Sequence, residues 1–157
     1  MKKLLRKPLA LAMCIASVCA ASLSASAALL TDITHYGSGT SDGTLQFTSS
    51  LQCNVNSSGT SITSSYATIR FDEIADVTPS ATSLNVYISI DAYSPCGSDS
   101  NSGSSVISIN DYYAVSDSYS DTDACHIDRV VASYSATHRY SGASYYSDSL
   151  TAYAYEG

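Results

Sequence analysis

Hydrophobic and polar residues alternate one by one through most of the chain after residue 44. In residues 84–93, every even position is apolar and every odd position is polar or tyrosine. A period of two over ten residues, rich in β-branched side chains, indicates a strand with one face in a core and the other in water. The same alternation predicts strands at 45–55, 62–71, 106–115, 128–140 and 145–155. No window shows the 3.6-residue period that is typical of a helix.

Residues that favour turns separate these runs. Serine, asparagine and glycine are concentrated at 56–59, 98–103 and 141–142, and such clusters between alternating segments are typical of turns and loops. Short links of this kind suit antiparallel neighbours. The sequence therefore predicts an all-β fold, a single-domain antiparallel β-sandwich (or barrel) of six to seven strands.

The N-terminus follows a different pattern. The basic segment MKKLLRK is followed by an apolar run to about residue 23 and then by Ala25, Ser26 and Ala27, which together have the organisation of a secretory signal with its A-x-A cleavage site. We expect residues 1–27 to be a cleaved signal peptide and residues 28–157 to be the single all-β domain. The short basic region is typical of bacterial signals, and no second apolar run is long enough for a membrane helix. These features predict a secreted, extracellular protein with no membrane anchor.

Loss of the signal would also change the charge of the protein. The whole chain has a formal charge of −7, but all of its lysines lie in the signal, so the remaining residues hold three arginines against 14 carboxylates, a formal charge of −11. Nucleic acids and anionic membranes bind cationic surfaces, so we expect no nucleic-acid partner. Leucine, isoleucine, valine and phenylalanine are sparse, a composition that together with high charge is typical of disorder. The regular alternation and the 13 tyrosines, which bring large apolar rings, favour a folded domain instead.

Three cysteines remain after the signal is removed, Cys53, Cys96 and Cys125. An odd number in an extracellular protein indicates one disulfide and one thiol. If the six predicted strands simply alternate up and down, Cys53 and Cys96 lie at one pole of the sandwich and Cys125 lies at the other. Bonded cysteines need Cα atoms within about 7 Å. The sequence therefore predicts a disulfide between Cys53 and Cys96, with Cys125 as a free thiol.

The segment 117–128, DSYSDTDACHID, is the densest cluster of potential metal ligands. Asp117, Asp121 and Asp123 offer the oxygen ligands that calcium prefers, although their spacing does not match an EF-hand loop. Cys125 and His126 are adjacent and point apart on an extended chain, which does not suit zinc. The simplest interpretation is a solvated loop with no cofactor, and calcium is the alternative hypothesis.

Candidate chemistry elsewhere in the chain is sparse. The sequence has no G-x-S-x-G motif, no recognisable cysteine and histidine signature and no tryptophan for sugar stacking, which favours a protein that is not an enzyme. The tyrosine pairs at 112–113 and 145–146 are candidate binding residues, because tyrosine is a favoured contact residue at interfaces. The alternative is that Tyr112, Tyr113, Tyr145 and Tyr146 replace leucine and phenylalanine in the core.

These observations favour a secreted, non-catalytic binding protein with an extracellular protein or glycan, or its own copies, as partner. Two alternatives remain from other functional classes. One is a small secreted toxin or antimicrobial factor, although a chain without lysine lacks the cationic face that attacks anionic membranes. The other is a secreted hydrolase with an unrecognised carboxylate site, for which two facing carboxylates in a cleft would be the structural sign.

Overall fold

Two four-stranded antiparallel sheets pack face to face in the computed structural model, which describes residues 32–40, 43–120 and 125–154. The first sheet has the strand order β1-β2-β3-β6 and the second has the order β5-β4-β7-β8. The strands are β1 (Asp32–Thr40), β2 (Leu45–Val55), β3 (Ile62–Glu73), β4 (Ser83–Ser94), β5 (Gly97–Ser108), β6 (Asp111–Ser118), β7 (Arg129–His138) and β8 (Ser144–Tyr153). The predicted all-β sandwich is confirmed, with eight strands rather than six to seven.

The predicted signal peptide, residues 1–27, lies outside the described residues. Within the described ranges, no helix is long and apolar enough to span a membrane.

The core lies between the two sheets and is built by the alternation seen in the sequence. In β4 and β7 every second residue is buried against the opposite sheet, and the residues between them lie on the outer face. Strands β2 and β3 supply the facing layer, which includes both phenylalanines of the chain, Phe47 and Phe71. A period of two therefore places one row of each central strand in the core, as a sandwich requires.

Strands β1 and β5 were not predicted. β1 has no run of large apolar residues at alternate positions, so its pairing with β2 depends on tertiary context. The serine-rich residues 98–103 were predicted to form a turn, but they lie inside β5, which pairs with β4 along the whole length of both strands. Cross-strand pairing with a neighbour can override local propensity in this way.

The single strand predicted at 106–115 is wrong, because the chain reverses within it. Ile109 and Asn110 form a tight turn between β5 and β6. Asn110 has a φ of 64°, in the left-handed region that asparagine tolerates better than most residues. The reversal passes the chain from the second sheet back to the first and adds one strand to the predicted order.

The extra strand also changes the disulfide. Cys96 is bonded to Cys125, with Cα atoms 5.5 Å apart, and Cys53 is a buried free thiol. The predicted Cys53–Cys96 bond and the predicted free thiol at Cys125 are therefore wrong. Because β6 runs back toward the pole where β4 and β5 meet, the segment before β7 lies at the same pole as Cys96. Cys53 faces the core instead, where burial raises the pKa of its thiol to about 12, so it stays protonated and weakly nucleophilic.

An aromatic contact joins the two sheets near β1. The ring of Tyr146, from β8, stacks on Phe47, from β2, with centroids 4.8 Å apart and planes inclined by 4°. Gly39 of β1 pairs with Phe47 across the first sheet, and a Cβ atom at Gly39 would lie 3.0 Å from Cε2 of Tyr146. The glycine therefore leaves the space that lets the Tyr146 ring reach across to the first sheet.

Candidate functional site

The four tyrosines predicted as binding residues do not lie on one surface. Tyr112 is 60% exposed on the outer face of the first sheet. Tyr113 is half-buried, with its hydroxyl group against the backbone of Gly103. Tyr145 is also half-buried, and Tyr146 is only 9% exposed. Because its ring belongs to the core, Tyr146 has little surface to offer a partner. A binding role stays a prediction, and Tyr112 is the member of the set best exposed to serve it.

The predicted calcium ligands lie at the end of β6 and beyond it. Asp117 is half-buried, and its Oδ1 atom accepts a hydrogen bond of 2.9 Å from the backbone N–H of Ser118. Asp121 and Asp123 lie outside the described residues. Among the residues that the structure describes, no three His, Cys, Asp or Glu side chains come together as a metal site. Calcium binding stays a prediction.

A polar cluster joins the two sheets beside the Tyr146 ring. The Ser49 hydroxyl, fully buried in β2, donates to Oδ2 of Asp148 in β8 and lies 3.0 Å from the Tyr146 hydroxyl. The Tyr146 hydroxyl donates to the same carboxylate oxygen at 2.9 Å. A Cβ atom at Gly37 of β1 would collide with Oδ2 of Asp148. The backbone of β1 therefore covers the cluster closely.

The electrostatics of this cluster favour an ionised Asp148 and a neutral Tyr146. Burial by itself would raise the pKa of Asp148, but hydrogen bonds from Ser49, Tyr146 and the backbone N–H of Ser149 outweigh it and hold the pKa below its ordinary value. Burial and the hydrogen bond to Asp148 raise the pKa of Tyr146 to about 12, against the opposing effect of Ser49. Since Ser49 has no access to solvent, the cluster is better suited to holding the sheets together than to attacking a substrate.

Asp148→Asn is expected to lower the free energy of unfolding by about 1–2 kcal/mol at pH 7. The reason is that two side-chain hydrogen bonds then have a neutral amide as acceptor instead of an ionised carboxylate. The pKa of Asp148 is lower in the folded protein than its ordinary 3.8, so protonation favours the unfolded chain. The contribution of Asp148 is therefore complete only well above the ordinary pKa of 3.8 and is lost as the pH falls through the folded pKa. Urea unfolding of both proteins between pH 2 and pH 7 measures the difference.

Asp99→Asn is the matched control for this prediction. Asp99 is exposed, and the hydrogen bond given to its carboxylate is local, from the backbone N–H of Ser100, as Ser149 gives to Asp148. We expect the Asp99 variant to differ little from the parent at any pH. An Asp148 variant whose loss of stability stays constant down to pH 2 would contradict the assigned pKa direction.

A second arrangement lies on the outer face of the second sheet, at the pole that holds the disulfide. Tyr93 near the end of β4, Arg129 at the start of β7 and Tyr153 at the end of β8 are direct cross-strand neighbours. The Cζ atom of Arg129 lies 4.1 Å from the centroid of the Tyr93 ring, within the range of a cation–π contact. Tyr153, on the other side of Arg129, is 62% exposed. Arg129 is therefore the middle residue of this cross-strand row, and its guanidinium group lies over the Tyr93 ring.

This row lines an open cleft of about 610 Å³. The residues around the cleft are Tyr93, Ser94, Pro95, Asp128, Arg129, Tyr153 and Ala154. The backbone N–H of Asp128 donates to the carbonyl of Tyr93 at 3.0 Å, and the carbonyl of Asp128 accepts from the N–H of Ala154 at 2.8 Å. These bonds extend the sheet past the start of β7 and fix Asp128 at the edge of the cleft.

The cleft combines the three kinds of group that recognise a polyhydroxylated ligand. A guanidinium stacked on a ring still directs its N–H donors outward in its own plane. Within the described residues, the one ion pair joins Arg70 to Asp72, so Arg129 has no carboxylate partner there. The Tyr153 hydroxyl can donate and accept, its exposed ring supplies an apolar face, and Asp128 also lines the cleft. Donors, acceptors and an aromatic surface therefore meet in one place.

Sequence reasoning missed this site, although part of its signal was present. Tyr93 and Tyr153 occupy outward positions of alternating strands, and Arg129 is one of three arginines after residue 27. The register that places them side by side depends on the pairing of β4 with β7 and of β7 with β8. Long-range strand pairing of that kind is not contained in the local pattern.

Comparison of the chain with protein-family models, with curated proteins and with solved structures gives no match.

Proposed function

We propose that this protein is a secreted, non-catalytic β-sandwich that binds an extracellular glycan through the cleft of Tyr93, Arg129 and Tyr153. The observation that carries the proposal is the placement of Arg129 between two tyrosines in one cross-strand row, in a cleft that Asp128 also lines. Sugar rings present an apolar C–H face and a rim of hydroxyl groups. Aromatic faces suit the first of these features, and mixed donors and acceptors suit the second.

Two further observations support secretion as part of the proposal. The first 27 residues have the pattern of a cleaved signal, and a disulfide joins Cys96 to Cys125. Disulfides persist chiefly in extracellular and other oxidising compartments.

Arg129→Gln is expected to weaken glycan binding at least about tenfold, equivalent to about 1.4 kcal/mol, because it removes the charged donors and the stacked cation. The measurement is isothermal titration calorimetry against a panel of soluble neutral and acidic polysaccharides. The same panel applied to the parent protein identifies the ligand to be used.

Arg139→Gln is the matched control. Arg139 is exposed at the turn between β7 and β8 and also lies over a tyrosine, Tyr140, at 5.6 Å from its ring centroid. Both substitutions remove one positive charge and one contact with a ring, but at opposite ends of β7. Equal binding by the two variants would overturn the assignment of the cleft. If the parent protein binds no polysaccharide but captures a protein partner, the proposal that the ligand is a glycan is overturned.

A further inference from the structure

The outer face of the second sheet, which carries the cleft at one end, is rich in hydroxyl groups. Four residues before Tyr93 on β4, one cross-strand row on the outer side of the second sheet consists of serines alone. Its members are Ser102, Ser89, Ser133 and Ser149. Neighbouring strands lie about 4.8 Å apart, and successive outward residues along a strand are about 6.7 Å apart. The sheet therefore holds these four hydroxyl groups in a regular array, which the row of Ser100, Asp91, Val131 and Thr151 separates from the cleft.

Another exposed aromatic ring lies at the far side of this array. Tyr87 is 44% exposed and lies on the same strand and the same face as Tyr93, six residues away. Six residues of extended strand span about 20 Å. Ser104 and Ser135 are its direct cross-strand neighbours, so no bulky side chain in that row covers the ring. A ligand that lies along β4 would meet a ring at each end, with the carboxylate of Asp91 and the hydroxyl group of Ser89 between them.

The charges on this face favour a neutral ligand. The outward positions of the four strands carry one cation, Arg129, and one carboxylate, Asp91, and Asp128 adds a second carboxylate at the cleft. The rest of the protein is strongly acidic, with 14 carboxylates in the chain. A polyanion would be repelled by the protein as a whole and would find one positive group on the face.

We propose that the outer face of the second sheet is an extended binding tract for a linear neutral glycan several sugars long, with the cleft at one end and Tyr87 at the other. This inference rests on the proposed function and specifies its ligand class. One sugar occupies the cleft beside Arg129 and Tyr153, the following sugars cross the serine array, and a distant sugar stacks on Tyr87.

The test is a chain-length series with a matched pair of tyrosine variants. The probes are cello-, manno- and chito-oligosaccharides of two to six units, with oligogalacturonates as the acidic comparison, titrated by calorimetry into the full mature chain. We expect one neutral series to bind with an affinity that rises with length. In that series Tyr87→Ala should weaken the longest member about fivefold, the value of a typical aromatic contact, and should leave the shortest member unchanged.

Tyr66→Ala is the control, because Tyr66 is exposed to nearly the same extent, 42%, on the outer face of the other sheet. It should bind every probe as the parent does. Both rings are exposed, so thermal unfolding is expected to show that both variants fold.

The possible failures separate the tract from the proposed function. If a neutral probe binds in a manner sensitive to Arg129→Gln, but its affinity does not rise with length and Tyr87→Ala has no effect, the tract is overturned and the cleft stands. If oligogalacturonates bind more tightly than every neutral series, the neutral ligand class is overturned. If no probe binds, or if Arg129→Gln leaves the affinity unchanged, both the proposed function and the tract are overturned.

Discussion

Phe47→Ala is expected to lower the free energy of unfolding by about 3–5 kcal/mol, the usual range for loss of a fully buried phenylalanine. Phe47 has no exposed surface and lies at the junction of the two sheets. It stacks on Tyr146 of the opposite sheet and contacts Phe71, its cross-strand neighbour, at a centroid distance of 5.9 Å. Small domains have a total stability of about 5–15 kcal/mol, so the loss is a large fraction of what holds the fold. Equilibrium unfolding in urea measures it.

The size of the effect follows from how few large side chains the core contains. The chain has two phenylalanines and no tryptophan, and alanines fill several inward positions of β3, β4 and β7. Small neighbours cannot move far enough to fill the cavity left by a phenyl ring, and a cavity adds its own cost.

Phe47→Leu and Tyr146→Phe are the controls for this prediction. Leucine keeps most of the volume and should cost much less than alanine. Tyr146→Phe keeps the ring stacked on Phe47 and removes the hydroxyl group that donates to Asp148, so it measures the polar cluster apart from the aromatic contact. A loss below about 1 kcal/mol for Phe47→Ala would mean that the sheets do not pack at this junction as described.

Local pattern was sufficient to predict the fold class, because the core residues of an antiparallel sandwich recur at every second position of each strand. Residues 84–93 show this most clearly, since each apolar residue of that run is buried in β4. The alternating pattern failed to predict strands that form because they pair with a neighbouring strand. β5 is built largely from serine, glycine and asparagine, and its first half is exposed on both faces, so nothing in its composition distinguishes it from a loop. Its hydrogen bonds to β4 are the interactions that make it a strand.

The sequence prediction also failed for the binding residues, for a related reason. Tyr145 and Tyr146 are adjacent in sequence and were both candidate binding residues, but consecutive residues of a strand point to opposite faces. A register shift in the pairing of β7 with β8, between Ala136 and Thr137, adds a local irregularity. Tyr93, Arg129 and Tyr153 are far apart in sequence and meet only through strand register. One missed turn at Asn110 was enough to place Cys125 at the wrong pole.

Removal of the disulfide, by the double substitution Cys96→Ser and Cys125→Ser, is expected to lower the free energy of unfolding by about 3–4 kcal/mol. The bond joins residues 29 positions apart, and chain-entropy arguments give a stabilisation of that size for a loop of this length. Urea unfolding of the variant beside the parent measures the loss. Cys53→Ala is the control, because Cys53 is outside the bond and its removal should leave the cross-link in place.

Thiol labelling tests the same pairing independently of stability. The protein of residues 28–157 should react with iodoacetamide very slowly, since Cys53, the one free thiol among the residues that the structure describes, is buried and has a raised pKa. The denatured, unreduced protein should take up one label, at Cys53. A label at Cys125 would restore the pairing expected from simple strand alternation and would contradict the fold at the turn between β5 and β6.

Because Asp128 lies three residues after Cys125, the double variant should also bind the cleft ligand more weakly than Cys53→Ala does. The disulfide would then contribute to the shape of the cleft as well as to stability.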